Sequence, residues 1–172
     1  MPTGAALSMP PRTRTWHRTA AYYLVAAAFG PLFAALSYFL PSAPSWAADD
    51  RLVAGFLLAY GMALAGGVPA AVVTALLLRR VAAVVRVRGA AAWLVLGTAI
   101  GVAVPWLFAR TGYALEGTYF PAGWQPLKRA LIFPLMGPMM YQAQPAAMRL
   151  TVAAAAAIVL WAAARRLFLA RR

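Results

Sequence analysis

The chain has no cysteine, one histidine and three acidic residues among 172 positions. The missing thiols exclude disulfides, thiolate metal sites and cysteine nucleophiles. With His17 as the lone imidazole, a single chain cannot supply a bis-histidine haem or metal site. The only carboxylates are Asp49, Asp50 and Glu116, so acid–base chemistry by clustered acids has little to draw on. Charged residues of both signs make up only 11% of the chain, less than half the share usual in soluble domains.

What replaces them is apolar. Residues of that class reach 64%, and a water-soluble chain of this size has too much surface per unit volume to bury them. Lipid is the solvent that accepts such a composition. The formal net charge of +13 points, by itself, to nucleic acid or an anionic surface. Fifteen of the 16 basic residues are Arg, which with the abundant Ala reads as the coding bias of a GC-rich bacterium.

Apolar runs of spanning length divide the chain. A basic tail, residues 1–19, carries Arg12, Arg14 and Arg18 and precedes a first apolar run, residues 20–40. At 1.5 Å per residue a run of this kind crosses a hydrocarbon core of about 30 Å. Residues 52–78 form a second run, longer than a span needs, with Gly66 and Pro69 in its middle as a kink site. Residues 89–108 form a third and residues 145–164 a fourth, which carries Arg149 near its start. Pro31 and Pro105 mark further kink positions. Between the last two runs, residues 109–144 hold prolines, glycines and aromatics, with a short apolar piece at 130–140 broken by Pro134 and Pro138. Too short to cross, that piece reads as interfacial or re-entrant. The expected fold is therefore all-α: a polytopic membrane protein with one domain of four transmembrane helices (residues 20–164), a short extra helix in the last external loop, and basic tails at 1–19 and 165–172.

Orientation follows from where the cations fall. The N-terminal tail, the loop with Arg79, Arg80, Arg86 and Arg88, and the C-terminal tail with Arg165, Arg166, Arg171 and Arg172 hold eleven basic residues; the other side holds five. The positive-inside rule places the crowded side, and both termini, in the cytoplasm of a bacterial inner membrane. Trp16, Trp93 and Trp161 are expected near the inner boundary and Trp46, Trp106 and Trp124 near the outer one, with none at mid-depth. The first run is too long for a secretory signal core, so it is expected to stay as an anchor despite the small-residue site at Ser45–Ala47. The same Arg clusters suit anionic lipid of the inner leaflet. No basic face interleaved with stacking aromatics supports nucleic-acid binding.

The remaining candidates have plainer readings. Asp49 and Asp50 are expected to cap the helix that follows rather than bind a cation. Glu116 reads as a solvated loop charge. Met136, Met139, Met140 and Met148 offer soft thioethers suited to Cu(I), but methionine is also an ordinary filler of apolar gaps. Gly97 and Gly101 form a GxxxG, and Ala63 and Gly67 belong to a similar stripe; both are expected to serve packing between the second and third spans. No cofactor or metal ligand set emerges. By elimination the sequence suggests a non-catalytic accessory or assembly subunit contacting membrane partners, with a small, possibly homodimeric, transporter or channel as the alternative.

Overall fold

The structure, a computed structural model, describes the backbone of residues 11–169 and the side chains of residues 16–168. Among the described residues every regular element is helical: α1 (Pro11–Phe39), α2 (Ala43–Ala48), α3 (Leu52–Val84), α4 (Ala90–Gly117), α5 (Gln125–Ile132), α6 (Met136–Gln142) and α7 (Ala146–Ala164). A 3-10 turn, Phe133–Leu135, joins α5 to α6, and a π-helical turn, Arg165–Leu169, continues α7. Four of the helices, α1, α3, α4 and α7, are long and apolar enough to cross a membrane.

The four long helices close into a ring. α1 lies against α3 and α7, and α4 lies against the same two. Two apolar clusters hold the ends. One joins Tyr22, Ala26, Ala75, Leu78 and Leu160, with Trp93 and Phe168 packed on it; the nearby arginines make this the basic end. The other joins Ala35, Phe39, Ala59 and Ala63, with Trp46, Phe56 and Met140 around it. α6 enters from this opposite end and touches α1, α3 and α4.

The helices outrun the apolar segments that announce them. Hydropathy measures solubility in lipid, whereas a helix continues for as long as its backbone hydrogen bonds do. α3 therefore carries Arg79 and Arg80 inside its last turns, where a loop is expected from sequence. Likewise α4 runs on to Gly117. Trp106 then stands near the middle of its helix rather than at an end.

Both short connections end in the same way. Arg51 N–H donates to the Trp46 carbonyl at 3.0 Å and Asp50 N–H to that of Ala47 at 3.3 Å, while Asp50 takes a φ of 54°. This is a Schellman closure, in which a left-handed residue turns the chain and serves the orphan carbonyls. Val87 N–H to Ala82 (2.9 Å) and Arg86 N–H to Ala83 (3.4 Å) repeat it at the end of α3, with Arg86 at φ 53°. The aspartates do not act as the expected N-terminal caps: Arg51 is the N-cap of α3, and no side chain bonds to that helix start. An aspartate tolerates left-handed backbone better than most residues, so Asp50 closes α2 instead.

Arginine at φ 53° carries a steric penalty of about 1 kcal/mol that glycine lacks. Arg86→Gly is therefore expected to raise the thermal unfolding midpoint of the detergent-solubilised protein, and Arg86→Val to lower it. An unchanged or lower midpoint for the glycine variant would show that the turn carries no strain.

Candidate functional site

Three prolines interrupt three different long helices: Pro31 in α1, Pro69 in α3 and Pro105 in α4. Each removes the N–H that would serve a carbonyl four residues earlier, on Ala27, Ala65 and Gly101. The helix pairing sets these breaks at one height. A Cβ built on Gly30 would stand 2.7 Å from Ala71 Cβ, and one on Gly67 would stand 3.6 Å from Pro31 Cγ. On the other side of the ring, Gly101 faces Ala153 of α7, where an added Cβ would stand 3.2 Å from Ala153 Cβ. Four residues beyond that contact, Pro105 is level with Arg149.

At this height α6 is pressed onto α3. A side chain on Gly66 would strike Gly137 N and the Phe133 carbonyl, each at 2.7 Å, and one on Gly137 would stand 2.7 Å from Gly67 Cα and 2.9 Å from the Ala63 carbonyl. Only backbone fits between the two segments. Gly67 lies close to the midpoint of α3, so α6 reaches well down the long helices rather than resting on their ends. The flanking methionines diverge. Met136 meets α3 at Gly66, Met139 meets α4 at Gly112, and Met140 joins the cluster around Phe39. They fill separate gaps, as flexible thioethers do.

Beneath α6 the ring encloses a cavity of about 80 Å³, room for roughly five water-sized groups. Pro31, Gly67, Pro105, Gly137 and Pro138 border it toward α6, and Thr74 and Leu160 toward the basic end. Small residues make it: Ala70, Ala71, Ala153 and Ala156 leave space that larger side chains would fill. Its walls are mostly apolar. Thr74 returns its hydroxyl to the Ala70 carbonyl at 2.7 Å, whereas Tyr141 points its hydroxyl away to the Arg149 carbonyl at 2.6 Å. Phe29, which also lines the cavity, is 41% exposed, so the cavity reaches the side of the ring.

The residues singled out from sequence distribute as follows. Gly97 and Gly101 meet Ala157 and Ala153 of α7, and Gly97 also approaches α3 at Leu78. The small-residue stripe thus packs first on the fourth span and, through Gly97, on the second. Ala63 is fully buried and Gly67 faces Pro31 and Gly137. Pro31, Gly67, Gly101 and Pro105 converge on the cavity; Gly66 sits behind it and Pro69 faces outward. Arg79 lies over the Phe168 ring at 4.7 Å and Arg165 over Trp161 at 5.4 Å, while Arg80, Arg86, Arg88 and Arg166 are exposed. Arg171 and Arg172 lie outside the described residues. Lys128 ends α4 by donating to the carbonyls of Glu116 (2.7 Å) and Thr118 (2.9 Å).

Gly137, Pro138, Tyr141 and Arg149 join the site without having been marked as site residues in the sequence. Gly137 and Pro138 were signalled only by the broken apolar piece at 130–140, and Arg149 only as a charge near the start of the fourth run.

Because backbone lies on both sides of the contact, Gly137→Ala is expected to destabilise the protein by about 2 kcal/mol through overpacking. Gly61, with nothing within 4 Å of its added Cβ, is the control, and Gly61→Ala is expected to leave the unfolding midpoint unchanged or higher. Equal midpoints for the two variants would mean that α6 is not seated on α3.

No protein-family model, no curated protein and no solved structure matches this chain.

Proposed function

We propose that the protein is a small, non-catalytic membrane protein of the carrier or transporter class, which takes a short stretch of an apolar chain, about five groups long, into the side-open cavity of its helix ring. The carrying observation is the cavity, bordered by Pro31, Pro105, Gly137 and Pro138. Interrupted helices around a site near mid-membrane are the architecture by which many transporters bind their cargo. An accessory subunit relying on small-residue helix faces is less well supported, because Gly97, Gly101 and Gly67 are occupied within the chain. That second reading keeps one specific observation. Tyr119 is 87% exposed and Trp124 59%, in the loop that Lys128 ties to α4.

The same reading takes the bundle to lie in a bacterial inner membrane with both termini cytoplasmic. The exposed Arg80, Arg86, Arg88 and Arg166 support it, since cations on one end suit the cytoplasmic face and its anionic lipids. It also takes α6 as re-entrant, which the seating of Gly137 against the middle of α3 supports. A full path across the bilayer would use a second copy, as four spans give little room alone.

Two measurements test these statements. Ala156→Phe fills the cavity and is expected to cut retention of dioleoylglycerol by the detergent-purified protein by about tenfold, read by native mass spectrometry. Undiminished retention would remove the cavity from consideration as a binding site. Reporter fusions placed after Arg88 and after Glu116 are expected to report opposite sides of the membrane; matching sides would overturn the orientation.

A further inference from the structure

We propose that the junction of α6 and α7 binds the anionic head of an amphipathic molecule, a phosphate group on an apolar chain, with Arg149 as its counter-charge. This rests on the reading of the cavity as the place for the chain.

The case begins with depth. From Arg149 to Arg165, the first basic residue beyond α7, the helix climbs 16 residues, about 24 Å, which falls short of the ~30 Å hydrocarbon thickness. With Arg165 at one membrane surface, the Arg149 backbone is still inside the other. Its contact neighbours agree: Pro105, level with it, is followed by twelve more residues of α4. A cation carried on backbone at that depth is costly unless its long side chain reaches the surface or finds a counter-charge.

No acid among the described residues offsets it. Asp49, Asp50 and Glu116 are exposed, and among the described residues none forms an ion pair with Arg149. Its Nε is buried without a hydrogen-bond partner, and so is Oε1 of Gln142, the last residue of α6. α7 starts at Pro145 with no side-chain cap and no acid in its first turn, so the positive end of the helix adds to the field of Arg149. A topology anchor would sit at an end of the bundle, where Arg80 and Arg166 are.

The second half of the ligand follows from the neighbours. Arg149 shares a helix face with Val152, Ala153 and Ala156, all of which line the cavity. Tyr141 lines it too, and its hydroxyl bonds to the Arg149 carbonyl. Arg149 itself does not line the cavity; it stands one turn before the lining residues Val152 and Ala153, on the side toward the start of α7. An anion with an apolar chain satisfies both, and the planar fork of arginine suits phosphate oxygens. Free phosphate shares the head chemistry but would leave the cavity empty.

The test uses the full chain in neutral detergent and three probes: dioleoyl phosphatidic acid, dioleoylglycerol with the same chains, and inorganic phosphate. Native mass spectrometry is expected to find phosphatidic acid retained about tenfold more than dioleoylglycerol. R149Q should bring the two lipids to parity, R149K should keep part of the preference, and R51Q, at an exposed arginine of the same end, should keep all of it. The unfolding midpoint of R149Q is expected to stay level or rise, because an uncompensated charge is removed. Inorganic phosphate that displaces the lipid from wild type, and binds R149K but not R149Q, would support Arg149 as the anion site and identify the free ion as its ligand. Preference unchanged in R149Q would overturn the proposal. Equal retention of both lipids by wild type, lost in Ala156→Phe, would overturn the head site and leave the cavity standing. Retention of neither lipid, with no phosphate bound, would overturn both.

Discussion

Hydrocarbon offers a peptide group no hydrogen-bond partner, and a backbone placed in it must satisfy itself. Four long helices do so turn by turn. The broken stretch from α5 to α6 cannot, because Pro134 and Pro138 interrupt its ladder and the 3-10 turn at Phe133–Leu135 shortens it. Its second part, α6, is covered by α1, α3 and α4, whereas Leu131 and Phe133 before it are exposed. The glycine contact between Gly66, Gly67 and Gly137 brings α6 down among α1, α3 and α4, and everything notable about the interior follows from that seat.

A helix ring that admits a fifth segment at one end leaves the space below it incompletely filled. Here alanines rather than leucines face that space, so the gap persists between the two apolar clusters instead of collapsing. The prolines of α1 and α4 border it at the height where α6 stops. Close packing by small residues is the usual way for helices to associate in lipid. In this chain it is spent internally: Gly97 and Gly101 on α7, Gly30 on α3.

Electrostatics divides the molecule as well. At the basic end arginines stack on aromatic rings, Arg79 on Phe168 and Arg165 on Trp161, or stand exposed. The same pattern recurs with Arg110 over Trp106. Arg149 fits neither pattern. Its side chain is partly buried, its Nε lacks a partner, and the apolar cavity lies one turn away. A buried Nε without a partner, one turn from an apolar space, is what gives the junction of α6 and α7 its proposed role.

From the sequence alone came the solvent and the helical class, with four segments able to cross a membrane. These depend on composition and on uninterrupted apolar length, which are local properties. The prolines and glycines of the eventual site were visible too, though as separate kinks and stripes. Only the tertiary structure decided that Pro31 and Pro105 share a height, that Gly97 and Gly101 serve α7, that Asp50 closes α2, and that Arg149 Nε is buried without a partner. Each of these depends on the register between helices far apart in the chain, or on where a helix stops hydrogen-bonding. Hydropathy encodes neither, because a residue's affinity for lipid is the same whichever neighbour stands opposite.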